Sequence, residues 1–200
     1  ELLDNDGRIA LQWAKAQGHT SIAKLIRQHA APPQPAAASP VASPDAGEPA
    51  ESAPAPLPKE IHRSAQRGEL QKVVKWLRKG GAVDALCPTT SPLDGRATAE
   101  TMLYAAAANS QLEIVRELLK RGASVDLPSS LGLTALMSAA GHGHLSTVLV
   151  LLQHSANPDL QDINGRTALM QAALIGHEAC VRALLRAKAN IELPDKDGHT

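Results

Sequence analysis

The chain has 200 residues, 20 basic and 20 acidic, for a formal net charge of zero, a balance that speaks against nucleic-acid binding, which usually leaves a basic excess. With no Phe, one Tyr and two Trp, it cannot build a thick aromatic core, and small residues instead suit thin stacked layers. No apolar run approaches the roughly 20 residues of a membrane-spanning helix.

Taken in order, Asp4 to Gly7 has the chemistry of a turn. Ile9 to Lys15 reads as a short helix with Leu11 and Ala14 on one face, stopped by Gly18. Thr20 to Gln28 reads as a second helix, apolar at Ile22, Ala23 and Ile26. Residues 31–58 then change character, holding nine of the fourteen prolines and no basic residue. Proline withdraws backbone donors and favours extended geometry, and this composition buries too little apolar surface to order itself. The segment reads as a disordered Pro/Ala-rich linker that reaches roughly 85 Å when stretched and roughly 30 Å as a coil. It is a plain spacer, or a docking segment with phosphorylation sites at Ser39-Pro40 and Ser43-Pro44; composition favours the spacer.

The helical pattern restarts over 59–86. Ile61 and Ala65 share a face of one helix, and Leu70, Val73, Val74 and Leu77 form the stripe of a second. The basic run Arg63, Arg67, Lys72, Lys75, Arg78 and Lys79 reads as the solvated face of a cap in preference to a site for an acidic partner. Residues 85–100 form an inserted finger, with turns at Pro88, Pro92 and Asp94-Gly95 and a cysteine, Cys87. Three regular units follow, 96–128, 129–161 and 162–194, and another starts at 195. The chain begins without Met and stops inside that unit, so it reads as a fragment.

The organising signal is a period of 33: Thr101, Thr134, Thr167 and Thr200; Leu103, Leu136 and Leu169; Val115, Val148 and Val181. Each Thr is placed to cap a first helix. Paired alanines (Ala106-Ala107, Ala139-Ala140, Ala172-Ala173) let first helices approach closely. Leu118-Leu119, Leu151-Leu152 and Leu184-Leu185 fill the layer between second helices. A period of 33 with this G-x-T-x-L…AA…GH…V…LL…A pattern resembles the ankyrin repeat, over residues 4–30 and 59–200.

The resemblance implies an all-α solenoid of helix-turn-helix units with hairpin loops. We read it as two arrays: a last repeat over 1–30, the linker, and a second array over 59–200 with an N-terminal cap at 59–86. Lys15 and Arg27 stand where other units have Ala and Leu, the polar face of a terminal repeat. Leu184 and Leu185 lack a following unit. One continuous solenoid with the linker looped out is the other arrangement. Ser155 and Lys188 replace the glycine kept at Gly80 and Gly122, at a cost of roughly 1–2 kcal/mol in a left-handed conformation. The family's T-P-L-H becomes Thr-Met-Leu-Tyr at 101–104 and Thr-Ala-Leu-Met at 134–137 and 167–170.

Carried over by position, the partner-binding groove is lined by Glu100, Ala108 and Asn109, then Ser130, Leu131, Leu133, Gly141 and His142, then Ile163, Asn164, Arg166, Leu174 and Ile175. The apolar members are not needed by the stack and mark a contact surface. The resemblance implies an interaction scaffold whose partners are other proteins, with no catalysis, cofactor, metal, small-molecule ligand, nucleic acid or membrane insertion. The alternative is the targeting region of a larger kinase, ubiquitin ligase, acyltransferase or channel. His19, His144 and His177 recur with the fold and read as structural bridges between loops; His142 and His144 have no ligand partners at metal spacing. Asp4, Asp6, Asp195 and Asp197 are turn residues rather than a calcium loop. Cys180 falls at a core position, which predicts a buried free thiol and an intracellular setting, cytoplasm or nucleus.

Overall fold

The computed structural model describes residues 9–29, 56–90 and 97–194. The expected turn at Asp4 to Gly7, most of the linker, the turns at Pro92 and Asp94-Gly95, and the unit starting at 195 lie outside these residues. Ten helices and one two-stranded sheet are present among them: α1 (Ile9–Ala16), α2 (Thr20–His29), α3 (Lys59–Arg67), α4 (Leu70–Arg78), β1 (Leu86–Thr90), β2 (Ala97–Thr101), α5 (Met102–Ala108), α6 (Leu112–Lys120), α7 (Ala135–Gly141), α8 (Leu145–Gln153), α9 (Ala168–Ile175) and α10 (Glu178–Arg186).

Each regular unit is built alike. The Oγ of Thr101, Thr134 and Thr167 accepts the N–H of Tyr104, Met137 and Met170 at 3.0, 3.3 and 3.3 Å, fixing the start of α5, α7 and α9. The paired alanines behind each cap are fully buried, so α5, α7 and α9 lie side by side with α3 as one layer. The second helices α4, α6, α8 and α10 form the other layer, with Val115, Val148, Val181, Leu118, Leu151 and Leu184 turned into the core. No unit buries its own apolar face, so cohesion comes from contacts between neighbours.

Side chains tie the units at the same period. His144 Nε2–H donates to the Ala108 carbonyl and His177 Nε2–H to the Gly141 carbonyl, each at 3.1 Å; a carbonyl only accepts, so the proton sits on Nε2. Gln111, 33 residues before His144, makes the equivalent bond to the Gln66 carbonyl at 3.0 Å. On the other side, the carboxylates of Asp84, Asp126 and Asp159 accept the N–H of Ser124, Asn157 and Asn190 at 3.0, 3.0 and 2.6 Å. Burial pushes the Asp126 carboxyl above the usual range, and its bond to Asn157 opposes that.

Two separate arrays are expected; among the described residues the first unit contacts the second array. Helix α1 packs on α9 and α2 on α10, so the first unit takes the place next after 162–194. The reason is complementary apolar surface: Leu11, Ala14, Ile22 and Ile26 of the first unit are buried. Leu184 and Leu185, expected to lack a neighbour, are buried beside it. Lys15 and Arg27 lie exposed at the outer end. The finger is also more ordered than its turn residues suggest. It carries an antiparallel ladder running from Leu86 opposite Thr101 to Thr90 opposite Ala97. Both cysteines are free and buried.

Candidate interaction surface

The hairpin tips that precede α7 and α9 are shaped by a residue at the same phase of the repeat. Ser129 Oγ accepts the N–H of Leu131 and Leu133 at 3.3 and 3.2 Å. Asp162 Oδ1 accepts those of Asn164 and Arg166 at 2.8 and 2.9 Å. These bonds fold Ser130 to Leu133 and Ile163 to Arg166 into tight turns. Successive tips are then chained by backbone: Ser130 N–H to the Ala99 carbonyl at 3.0 Å, and Ile163 N–H to the Leu131 carbonyl at 3.1 Å. Ser130 Oγ also accepts the Ala99 N–H at 2.9 Å.

At the tips, Ser130, Ile163 and Asn164 are exposed, while Leu131, Leu133 and Arg166 are half-buried. Leu133 packs against the core. At the ends of the first helices, Asn109, His142 and Ile175 are exposed, and Ala108, Gly141 and Leu174 are half-buried. Asn109 Nδ2 donates to the Ala105 carbonyl at 2.9 Å. His142 Nδ1 is bonded to the Ser138 carbonyl at 2.9 Å, and its ring stacks on His144 with centroids 5.8 Å apart. Of the apolar members, Ile163 and Ile175 are open to solvent, 40% and 55% exposed; the three leucines are half-buried. Glu100 stands apart from the rest, half-buried on β2 with its carboxylate 3.1 Å from His62 Nε2 of α3.

Sequence reasoning missed two exposed leucines, Leu86 on β1 and Leu149 on α8. Leu149 follows Val148, and an apolar residue beside the core stripe carries no mark of its own. It also missed the aspartate ties, although Asp126 and Asp159 are one period apart. Among the described residues, no cluster of His, Cys, Asp and Glu is arranged to hold a metal ion, and no helix is long and apolar enough to cross a membrane.

A family model for ankyrin repeats (3 copies) matches residues 61–162 and 152–200. No match was found among curated proteins. The match takes in most of the chain, and the capped, alanine-paired, histidine-tied units are those of the repeat: this chain belongs to the ankyrin-repeat family.

Proposed function

We propose that the chain is a protein-interaction scaffold that holds partner proteins on the surface formed by its hairpin tips and first-helix ends. Ankyrin repeats generally serve as protein-interaction modules. The observation that carries the assignment here is the pairing of a rigid frame with exposed apolar side chains. Backbone bonds lock each tip to the last, yet Ile163 and Ile175 of one unit stay open to solvent where the stack does not use them. Apolar side chains held out on an ordered frame favour binding, because little conformational freedom is lost on contact. Ala108, Asn109, Ser130, Leu131, Leu133, His142, Asn164, Arg166 and Leu174 fill out the proposed surface; Glu100, turned toward His62, does not belong to it. Two free, buried thiols support a reducing compartment, cytoplasm or nucleus.

The test compares Ile163→Glu/Ile175→Glu with Leu149→Glu, a residue of similar exposure on a second helix. All three proteins should be equally helical. Proteins retained by the unaltered chain and by Leu149→Glu, but lost by the double variant, support the surface. Retention by the double variant overturns it.

A further inference from the structure

The finger and α3 enclose a second surface. The Leu57 N–H donates to the Leu86 carbonyl at 2.9 Å, so the backbone groups of Leu86 face away from β2. Backbone direction alternates along a strand, which turns Pro88 and Thr90 outward on the same edge. The partner strand agrees: Ala99, opposite Pro88, gives its own N–H and C=O outward to Ser130. The outer edge of β1 is therefore paired at Leu86 and open beyond it. Pro88 has no N–H, and its carbonyl meets only the Cys87 thiol, at 3.7 Å. Among the described residues, the outward N–H and C=O of Thr90 have no backbone partner.

One face of α3 looks onto this edge across a cleft of about 640 Å³. Lys59 and Arg63 stand at its mouth, both exposed and, among the described residues, in no ion pair. His62 is 4% exposed. Its Nε2 lies 3.1 Å from a Glu100 oxygen, but the ring N–H is not aimed at that oxygen and makes no directed hydrogen bond. Two cations face one carboxylate, so the cleft favours an anion. Cys87 borders it; burial and then Glu100 push its thiol up, while Lys59 and Arg63 oppose them.

We propose that this cleft binds an extended acidic segment of a partner protein, which adds as a strand to the open edge of β1 and sets alternate carboxylates against Lys59 and Arg63. The spacing supports this. Four residues of helix separate Lys59 from Arg63 by about 6 Å along the axis. Side chains two apart on a strand, which share a face, are separated by about 6.6 Å. An unpaired edge invites such addition: main-chain bonds give affinity and alternate side chains give selectivity.

The probe is a fluorescently labelled peptide of five Thr-Glu repeats, followed by anisotropy against the full 200-residue chain. Saturable binding is expected, weakened about ten-fold or more by Lys59→Glu/Arg63→Glu or by replacing every Glu of the peptide with Gln. Thr90→Pro removes the outward N–H without touching a charge and should weaken binding about three- to ten-fold. Proline is tolerated at such an edge position, and unchanged circular dichroism and thermal unfolding verify the fold. The Gln peptide carries the charge test even where a protein variant does not fold. Ile163→Glu/Ile175→Glu should bind the probe normally, so this result stands apart from the scaffold assignment. No saturable binding at millimolar peptide, equal binding of the Gln peptide, or indifference to both Thr90→Pro and the charge reversal overturns the proposal. Sensitivity to charge with indifference to Thr90→Pro overturns strand addition.

Discussion

The unit over 9–29 and the unit over 162–194 have the same pair of helices and opposite chemistry on one face. Ala173 is fully buried and Leu185 nearly so; the matching positions of the first unit are Lys15 and Arg27, both exposed. The faces toward the stack agree closely. Ala14 and Ala172 are both fully buried, and a Cβ on Gly176 would come within 2.6 Å of the His19 ring, as one on Gly143 would approach His177. The first unit is thus a repeat on one side and solvent-facing on the other. Place in the stack, not place in the sequence, decides which residues each face tolerates.

The sharpest way to break the comparison is to exchange the two chemistries. Ala173→Lys puts an uncompensated charge where the stack is fully packed, and should cost on the order of 3–5 kcal/mol in urea unfolding. Lys15→Ala should stay within about 0.5 kcal/mol. Similar costs at both positions would mean that α1 does not form the outer end.

A second exchange asks whether the first unit sits on α10 at all. Ile26 is fully buried in α2, so Ile26→Ala should cost about 2–5 kcal/mol. Amide exchange should quicken in α10, which α2 covers, before it quickens in α6. Unchanged protection of α10 would separate the first unit from the stack and favour two arrays.

Next in size is a glycine pair. Gly143 and Gly18 have the same backbone, φ +74° each, but a Cβ would meet the His177 ring at 2.6 Å in one and nothing within 4 Å in the other. Gly18→Ala should therefore cost only the left-handed conformation, about 1–2 kcal/mol. Gly143→Ala should cost that plus roughly 1 kcal/mol for the displaced bond from His177 to the Gly141 carbonyl. Thermal unfolding of the two variants measures the difference, and equal shifts would deny His177 its bridging part.

These contrasts also mark what the sequence makes legible. Period and composition suffice for the helices, the threonine caps, the alanine layer and the histidine bridges, because each unit repeats the same local solution. The place of the first unit was not legible. Complementary apolar faces decide it, and Leu11 and Ile26 read the same whichever unit they meet. Nor were the strands of the finger, since Pro88 and the short run Ala97 to Thr101 lack a strong strand pattern. The proposed surface is intermediate. Periodicity places Ile163 and Ile175 on it, but it does not distinguish them from Leu131, Leu133 and Leu174, which are half-buried. Glu100 shares the phase of Leu133 and Arg166, yet the insertion before it turns it toward His62.

The smallest effect expected is a gain. Two turns that elsewhere end in Gly80 or Gly122 end in Ser155 and Lys188, at φ +63° and +62°. Both side chains are exposed, so they give the stack little in return for the strain. Ser155→Gly and Lys188→Gly should each stabilise the chain by about 1 kcal/mol, the relief of the left-handed conformation less the added freedom of glycine when unfolded. The sites lie one period apart, in successive units, so the gains should add. A double variant that gains much less than the sum would show that successive turns constrain each other through the Asp159 tie to Asn190, which joins those same two units.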